Sequence, residues 1–227
     1  MKLSHISIFP SIMCCKPWDF PDYIRAFEQT GVDGIHFDVM DGHYVPNVML
    51  GVSDFDAIRS ITSLPLDVHL MCTEPERYPS YFKLREGDLV SFHPETATQP
   101  YRMLQDLKSK GIKAGLAMGP GIPVSYIEEC LGVLDFVMVM AVNPGFAGQV
   151  MVPDHLDKLR RIREITEKAD HPVALVIDGN TTPANARRML AAGATGFVTG
   201  TSSMLKEGAA SFQRLYEAYL SALQAND

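Results

Sequence analysis

Short apolar and β-branched runs alternate with longer amphipathic stretches along the whole of this sequence, and the alternation repeats at roughly 28 residues, as about eight strand–helix units would. The apolar runs fall at residues 6–10, 34–38, 66–71, 89–93, 113–118, 136–140, 173–178 and 196–199. Helix starts lie between them. Asp19 precedes Tyr23-Ile24-x-x-Phe27, Thr98 caps ahead of Pro100, Pro153 opens 156–169, and Thr182-Pro183 opens 184–192. Thr30-Gly31, Lys110-Gly111 and Ala192-Gly193 supply helix stops just before the next strand, because glycine takes the left-handed backbone of a helix end without steric cost. Strict alternation requires a parallel sheet, either doubly wound or closed into a barrel. The first strand–helix turn reads Pro10-Ser11-Ile12-Met13 and not the GxGxxG of a dinucleotide fold. No Pro-rich or Ser-rich linker divides the chain. The expected architecture is a single (β/α)8 TIM barrel domain over residues 1–227, a parallel eight-stranded barrel with outer helices.

Charge excludes some partners. The chain carries 27 acidic and 20 basic side chains, a net charge of −7, with no run of Lys and Arg, so a nucleic-acid partner is not expected. No apolar stretch approaches the roughly 20 residues of a membrane span, and the opening MKLSHISIFPSIMCC lacks a small-residue cleavage signature. The expected location is the cytoplasm, with no membrane partner. Cys14, Cys15, Cys72 and Cys130 match neither a zinc CxxC pair nor a disulfide framework and read as thiols near the core. Leu156, Leu159, Ile162 and Ile165 form the apolar stripe of a helix packing on the barrel, and Lys158, Arg160, Arg161 and Arg163 read as its solvated face.

In a barrel of this kind, chemistry belongs at the carboxyl ends of the strands. Polar residues gather there: His36-Phe37-Asp38-Val39-Met40-Asp41-Gly42, Asp67-Val68-His69-Leu70-Met71 and Ile177-Asp178-Gly179-Asn180. Alternation sends His36 and Asp38 to one face. Two histidines and two carboxylates from such strand ends make an N2O2 donor set for a divalent ion, with Zn, Mn, Co and Fe all acceptable. Taken singly, a strand-end His is a structural residue and an Asp before Gly is turn chemistry. The late loops at Asn143–Gln149, Asp178–Asn180 and Gly200–Ser203 are rich in glycine. Glycines let backbone N–H groups approach an anion, and the loops after strands seven and eight are the usual phosphate cradle of this barrel; tight turns alone are the plainer reading of each.

Taken together, Pro10-Ser11-Ile12-Met13, HFDVMDGHYVPN at 36–47, LDVHLM at 66–71, NPGFAGQ at 143–149, Asp178-Gly179, Gly193-Ala194 and Gly200-Thr201 resemble the ribulose-phosphate 3-epimerase family over nearly the whole chain and in the family's order. The resemblance implies a (β/α)8 barrel, one catalytic divalent metal ion and inversion of C3 in a ketose phosphate. It makes His36, Asp38, His69 and Asp178 the metal ligands, with Asp38 and Asp178 also the acid and base. Ser11 would touch substrate. Met40, Met71 and Met140 would form a thioether floor beside the enediolate, while Met138, one layer deeper, reads as core. Gly145, Phe146, Ala147, Gly148, Gly179, Asn180, Gly200 and Thr201 would hold the phosphate end. Relatives are commonly homo-oligomers, and the same is expected here.

Where the commonest family pattern has Asp-Gly-Gly and Gly-Ser-Ala, this chain has Asp178-Gly179-Asn180 and Gly200-Thr201-Ser202. With Met13-Cys14, His93-Pro94-Glu95-Thr96 and Ala147, these departures resemble the D-allulose-6-phosphate 3-epimerase branch. The expected substrate pair is therefore D-allulose 6-phosphate and D-fructose 6-phosphate, with D-ribulose 5-phosphate and D-xylulose 5-phosphate as the alternative. Lyases built on related barrels carry a Lys in an Asp-x-Lys-x-x-Asp run, which strand two lacks, and a non-catalytic sugar-phosphate binder would not need both carboxylates. His43 lies in the loop after strand two and is expected in solvent. His93 ends strand four, within hydrogen-bonding reach of the site, but outside the catalytic set.

Overall fold

The computed structural model describes residues 5–224. Its barrel strands are β1 (Ser7–Pro10), β2 (Ile35–Asp41), β3 (Leu66–Met71), β4 (Leu89–Phe92), β5 (Lys113–Met118), β6 (Phe136–Met140), β7 (Ala174–Asp178) and β8 (Gly196–Thr199). They run parallel in the order β1-β8-β7-β6-β5-β4-β3-β2, and a two-residue strand, Val48–Met49, folds back antiparallel on the end of β2. Seven seams between neighbouring strands carry ladders. The eighth, between β1 and β2, is bridged at one pair, Ser11 with His36, and by the Asp33 N–H donating to the Ile8 carbonyl at 3.1 Å. The ladders therefore leave the expected eight-stranded ring open along this seam, beside β2, the strand that carries His36 and Asp38.

The strands match the sequence expectation, apart from β2, which runs three residues further because Val48–Met49 pairs with Met40 and Asp41. Around the sheet stand α1 (Phe20–Thr30), α2 (Val52–Ile61), α3 (Pro100–Lys108), α4 (Ser125–Cys130), α5 (His155–Thr166), α6 (Pro183–Ala192) and α7 (Phe212–Gln224). Between β3 and β4 a 3-10 segment, Pro75–Ser80, replaces the α-helix. Two prolines there, Pro75 and Pro79, cannot donate to a helical ladder. Gly31 and Gly193 close α1 and α6 at φ of 69° and 115°, as the sequence leads one to expect. Thr182 caps α6 through its hydroxyl, which accepts the Asn185 N–H. Thr98 does not cap α3; Gln99 stands at that position, and Glu76 accepts the N–H groups of both.

Alternation along each strand separates two cores. Ile35, Phe37, Val39, Val68, Leu70, Val90, Phe92, Val137, Val139 and Ile177 face outward into the layer between strands and helices. Phe9, Leu89, Ala117, Phe136, Met138, Val176 and Val198 face inward and plug the barrel, with Met140 at the top of that cluster. Gly115 is required here: a Cβ on it would lie 2.5 Å from the Phe136 ring. The plug fills the lower barrel, so the inward positions left at the strand ends belong to His36, Asp38, Asp67, His69 and Asp178.

Lys158 corrects the sequence expectation. It is 5% exposed, and its ammonium donates to the carbonyls of Gly119, Pro120 and Ile122, fastening the loop after β5 to α5. Leu159, Ile162 and Ile165 are buried beside it as the apolar stripe requires. Among the described residues no helix is long and apolar enough to cross a membrane. Replacing Lys158 by Met strands three carbonyls and is expected to destabilise the fold by about 2 kcal/mol. Urea unfolding of parent and variant measures this, and an unchanged midpoint contradicts it.

Candidate active site

Parallel register builds the site layer by layer. β2 and β3 pair His36 with Asp67, Asp38 with His69, and Met40 with Met71. β6 and β7 pair Met140 with Asp178. These side chains share the inner face, so each layer of the mouth contains the partners that the chemistry needs side by side.

One atom from each of His36, Asp38, His69 and Asp178 lies within 4.8 Å of all the others. His36 Nε2 is 3.1 Å from Asp38 Oδ1, and His69 Nδ1 is 3.3 Å from the same oxygen and 3.8 Å from Asp178 Oδ2. Ser11 donates its hydroxyl to Asp38 Oδ2 at 2.7 Å. The His36 imidazole is fully buried, and its other nitrogen, Nδ1, is fixed by Asp67 Oδ2 at 2.7 Å. His69 Nδ1 is buried without a hydrogen-bond partner. A buried, unpartnered imidazole nitrogen facing two carboxylates suits a divalent ion, and two nitrogens with two carboxylate oxygens form a donor set that such ions accept.

The two carboxylates are pushed in opposite directions. Burial works against ionised Asp38, but the His36 and His69 imidazoles outweigh it and hold Asp38 well below the usual carboxylate range. Burial raises Asp178, and the charge of Asp38 adds to the rise against the opposing effect of His36. His36 is raised well above its ordinary value: burial opposes the rise, and Asp38 and Asp67 overcome it. Carboxylates separated in this way suit one acid and one base.

The same cavity is lined by Ser11, Asp38 and Asp178, by Met40, Met71 and Met140, and by the three glycine-bearing loops. Of the residues expected at the site, all but His36 and His69 line this cavity, and those two lie in the His/Asp cluster beside it. Gly145, Gly148 and Gly179 have φ of 117°, 81° and 103°, and a Cβ on Gly179 would come within 2.6 Å of Val142. Phe146 is half exposed at the rim, and Gln149 staples its loop by donating to the carbonyls of Asn143 and Phe146. Asn180 adopts φ of 50°, and its Oδ1 accepts from Asn185 Nδ2 and the Met151 N–H. The Gly200 N–H donates to Ser203 Oγ and is not free for an anion in this state.

Several residues of the site were not expected. Asp67 shares the inner face with His69 two positions on, which alternation would have revealed. Cys14, packed against the core as expected, also lines the cavity, and burial pushes its thiol up to about 11, which keeps it protonated. Asp41, inside the most specific motif, organises the loop: it accepts the N–H groups of His43, Tyr44 and Thr73 and the Thr73 hydroxyl. His43 is exposed as expected. His155 is buried beneath the start of α5, outside the cavity.

The profile of the Ribulose-phosphate 3 epimerase family matches residues 7–204. The chain belongs to this family. The family is one of isomerases, and its curated members include the chloroplastic ribulose-5-phosphate-3-epimerase of Arabidopsis thaliana, 41% identical over 88% of this chain and 72% of that protein. The ribulose-phosphate 3-epimerase of Bacillus subtilis is 38% identical over 87% of this chain and 91% of its own length, and that of Escherichia coli K12 is 38% identical over 86% and 87%. Among solved structures, a mutant tryptophan synthase α-subunit from Pyrococcus furiosus superposes with a TM-score of 0.67 at 13% identity, covering 95% of this chain and 98% of that one. That likeness concerns the fold alone and supports the TIM-barrel assignment.

Asp67 orients a candidate metal-ligating imidazole from behind. Carboxylates in that position typically affect metal affinity by about 10–100-fold. Asp67→Asn should therefore weaken Zn2+ binding by a factor in that range, measured by competition against a chelator, and equal affinities in parent and variant would contradict the role.

Proposed function

We propose that this chain is a 3-epimerase that interconverts D-ribulose 5-phosphate and D-xylulose 5-phosphate. The observation that carries the reading is the pair Asp38 and Asp178, drawn from strands on either side of the β1–β8 pair and directed into one mouth. Family membership supplies the substrate class, and the curated relatives at 38–41% identity bear ribulose-phosphate names.

Inversion at C3 beside a C2 ketone needs one group to remove a proton from one face and another to return a proton to the opposite face. Asp38, held ionised by His36 and His69 and steadied by the Ser11 hydroxyl, is suited to accept. Asp178, raised by burial, is suited to hold and deliver, and the two exchange roles in the reverse direction. His36, Asp38, His69 and Asp178 would hold a divalent ion, which when bound supplies Lewis-acid stabilisation of the charge that develops on the substrate oxygens. Met40, Met71 and Met140 give the enediolate an apolar wall without an exchangeable proton. Positive-φ glycines at 145, 148 and 179 allow the loop backbones to approach a phosphate.

The hexulose pair expected from Asn180 and Thr201 is the second reading. Asn180 accepts the Asn185 side-chain amide and the Met151 N–H through its Oδ1, so in this reading its Nδ2 is the group that would meet the substrate. A single carbon is worth about 1–3 kcal/mol, or roughly 10–200-fold in specificity. We expect kcat/KM for D-ribulose 5-phosphate to exceed that for D-allulose 6-phosphate by more than about tenfold under one metal condition. The reverse preference returns the assignment to the hexulose pair. Asp178→Asn is expected to keep the fold and abolish epimerisation while retaining slow solvent exchange at C3 in D2O through Asp38. Parent-like turnover by this variant would overturn the two-carboxylate mechanism.

A further inference from the structure

The His69 imidazole has a second neighbour that the proposed reaction does not use. Leu89, Ser91 and His93 share the inner face of β4 and its continuation, and Ser91 pairs in register with His69, so His93 stands one layer nearer the mouth. His93 is fully buried, and its Nε2 lies 3.0 Å from His69 Nε2. Its Nδ1 faces Glu95 Oε1 at 3.7 Å, longer than a hydrogen bond. Tyr44, from the loop between β2 and Val48–Met49, donates its hydroxyl to the same Glu95 oxygen at 2.7 Å and lays its ring against His93 with centroids 4.7 Å apart.

We propose that Tyr44, Glu95 and His93 form a relay that fixes His69 in the tautomer with a bare Nδ1, the form able to ligate a metal. Two imidazole nitrogens 3.0 Å apart need one N–H and one lone pair between them. If His93 donates from Nε2, neutral His93 has a bare Nδ1 that turns its lone pair on the Glu95 carboxylate, and His69 must carry its own proton at Nδ1, toward Asp38 and Asp178. If His69 donates from Nε2, His93 carries its proton at Nδ1, toward Glu95, and His69 Nδ1 is bare. Only the second arrangement sets N–H against carboxylate at the far end, and it turns the His69 lone pair toward Asp38 and Asp178, 3.3 and 3.8 Å away, where a cation bound among them would receive it. Of the atoms on this path, His69 Nδ1, His93 Nδ1 and Glu95 Oε2 are buried without partners. The first is the ligating atom, and the other two belong to the ends that the relay joins. Tyr44 anchors the carboxylate by donating to it, which leaves the remaining lone pairs of Glu95 for His93. His93, Glu95 and Tyr44 are positioning residues in this account, and His36 has the shorter equivalent in Asp67.

The proposal rests on the reading of His69 as a metal ligand, so the test separates the two. Ring-nitrogen NMR of the Zn2+-loaded parent, labelled with 15N-histidine, is expected to find the His93 proton on Nδ1 and its Nε2 bare; a His93 proton on Nε2 overturns the relay without needing any variant. In chelator competition with Zn2+, Glu95→Gln is expected to bind about 10–100-fold more weakly than the parent. His93→Gln, whose amide oxygen stands where Nε2 did and can accept from His69, is expected to recover affinity lost in His93→Leu. A folding role would not produce that rescue. Equal Zn2+ affinity in Glu95→Gln and parent, or no recovery by His93→Gln, overturns the relay. A parent that binds no Zn2+ overturns the ligand assignment beneath it.

Discussion

Two carboxylates held in one barrel mouth, Asp38 buried and Asp178 half-buried, are the constraint on which the rest of this structure depends. Ionised together in an apolar site they repel, and burial alone would neutralise both. Here the repulsion is relieved by imidazoles set between them, with His36 and His69 both within 3.3 Å of Asp38. Each imidazole is in turn held from behind by acidic groups, directly by Asp67 for His36 and through His93 toward Glu95 for His69. Carboxylates gathered around a buried, unpartnered imidazole nitrogen are what a divalent cation would satisfy.

Such a site needs both a rigid floor and strands in register. A slip of one residue between β2 and β3 would turn one strand's His and Asp away from the other's. The apolar plug of Phe9, Phe136, Met138, Val176 and Val198 prevents water from entering from below and leaves the polar layer open only upward, toward the glycine loops. The low-dielectric floor strengthens every charge interaction above it. The weakly bridged β1–β2 seam lies beside this layer, and Ser11, which makes the bridge, is also the residue that hydrogen-bonds Asp38.

Local patterns made much of this legible. Alternation marked the strands, glycines marked the ends of α1 and α6, and the strand-end His and Asp pairs marked the mouth. What escaped was set by contacts between distant segments. Charges alternating along α5 gave no sign that Lys158 meets the carbonyls of the loop after β5. The pairing of Val48–Met49 with β2 needs a loop geometry that the sequence does not encode by period. Nothing in the local pattern signals that Asn180 accepts the Asn185 side-chain amide through both its carbonyl and its Oδ1. Asp67 is legible from alternation alone, since it occupies the same strand face as His69.

The account's central claim is that four side chains from three strands form one metal site shared with the two proton-transferring carboxylates. Anomalous diffraction from crystals of the metal-loaded protein tests it most directly. One peak is predicted within about 2.0–2.2 Å of His36 Nε2, His69 Nδ1 and one oxygen each of Asp38 and Asp178. A loaded protein with no peak among these four residues, or with an ion that leaves out either carboxylate, would contradict it.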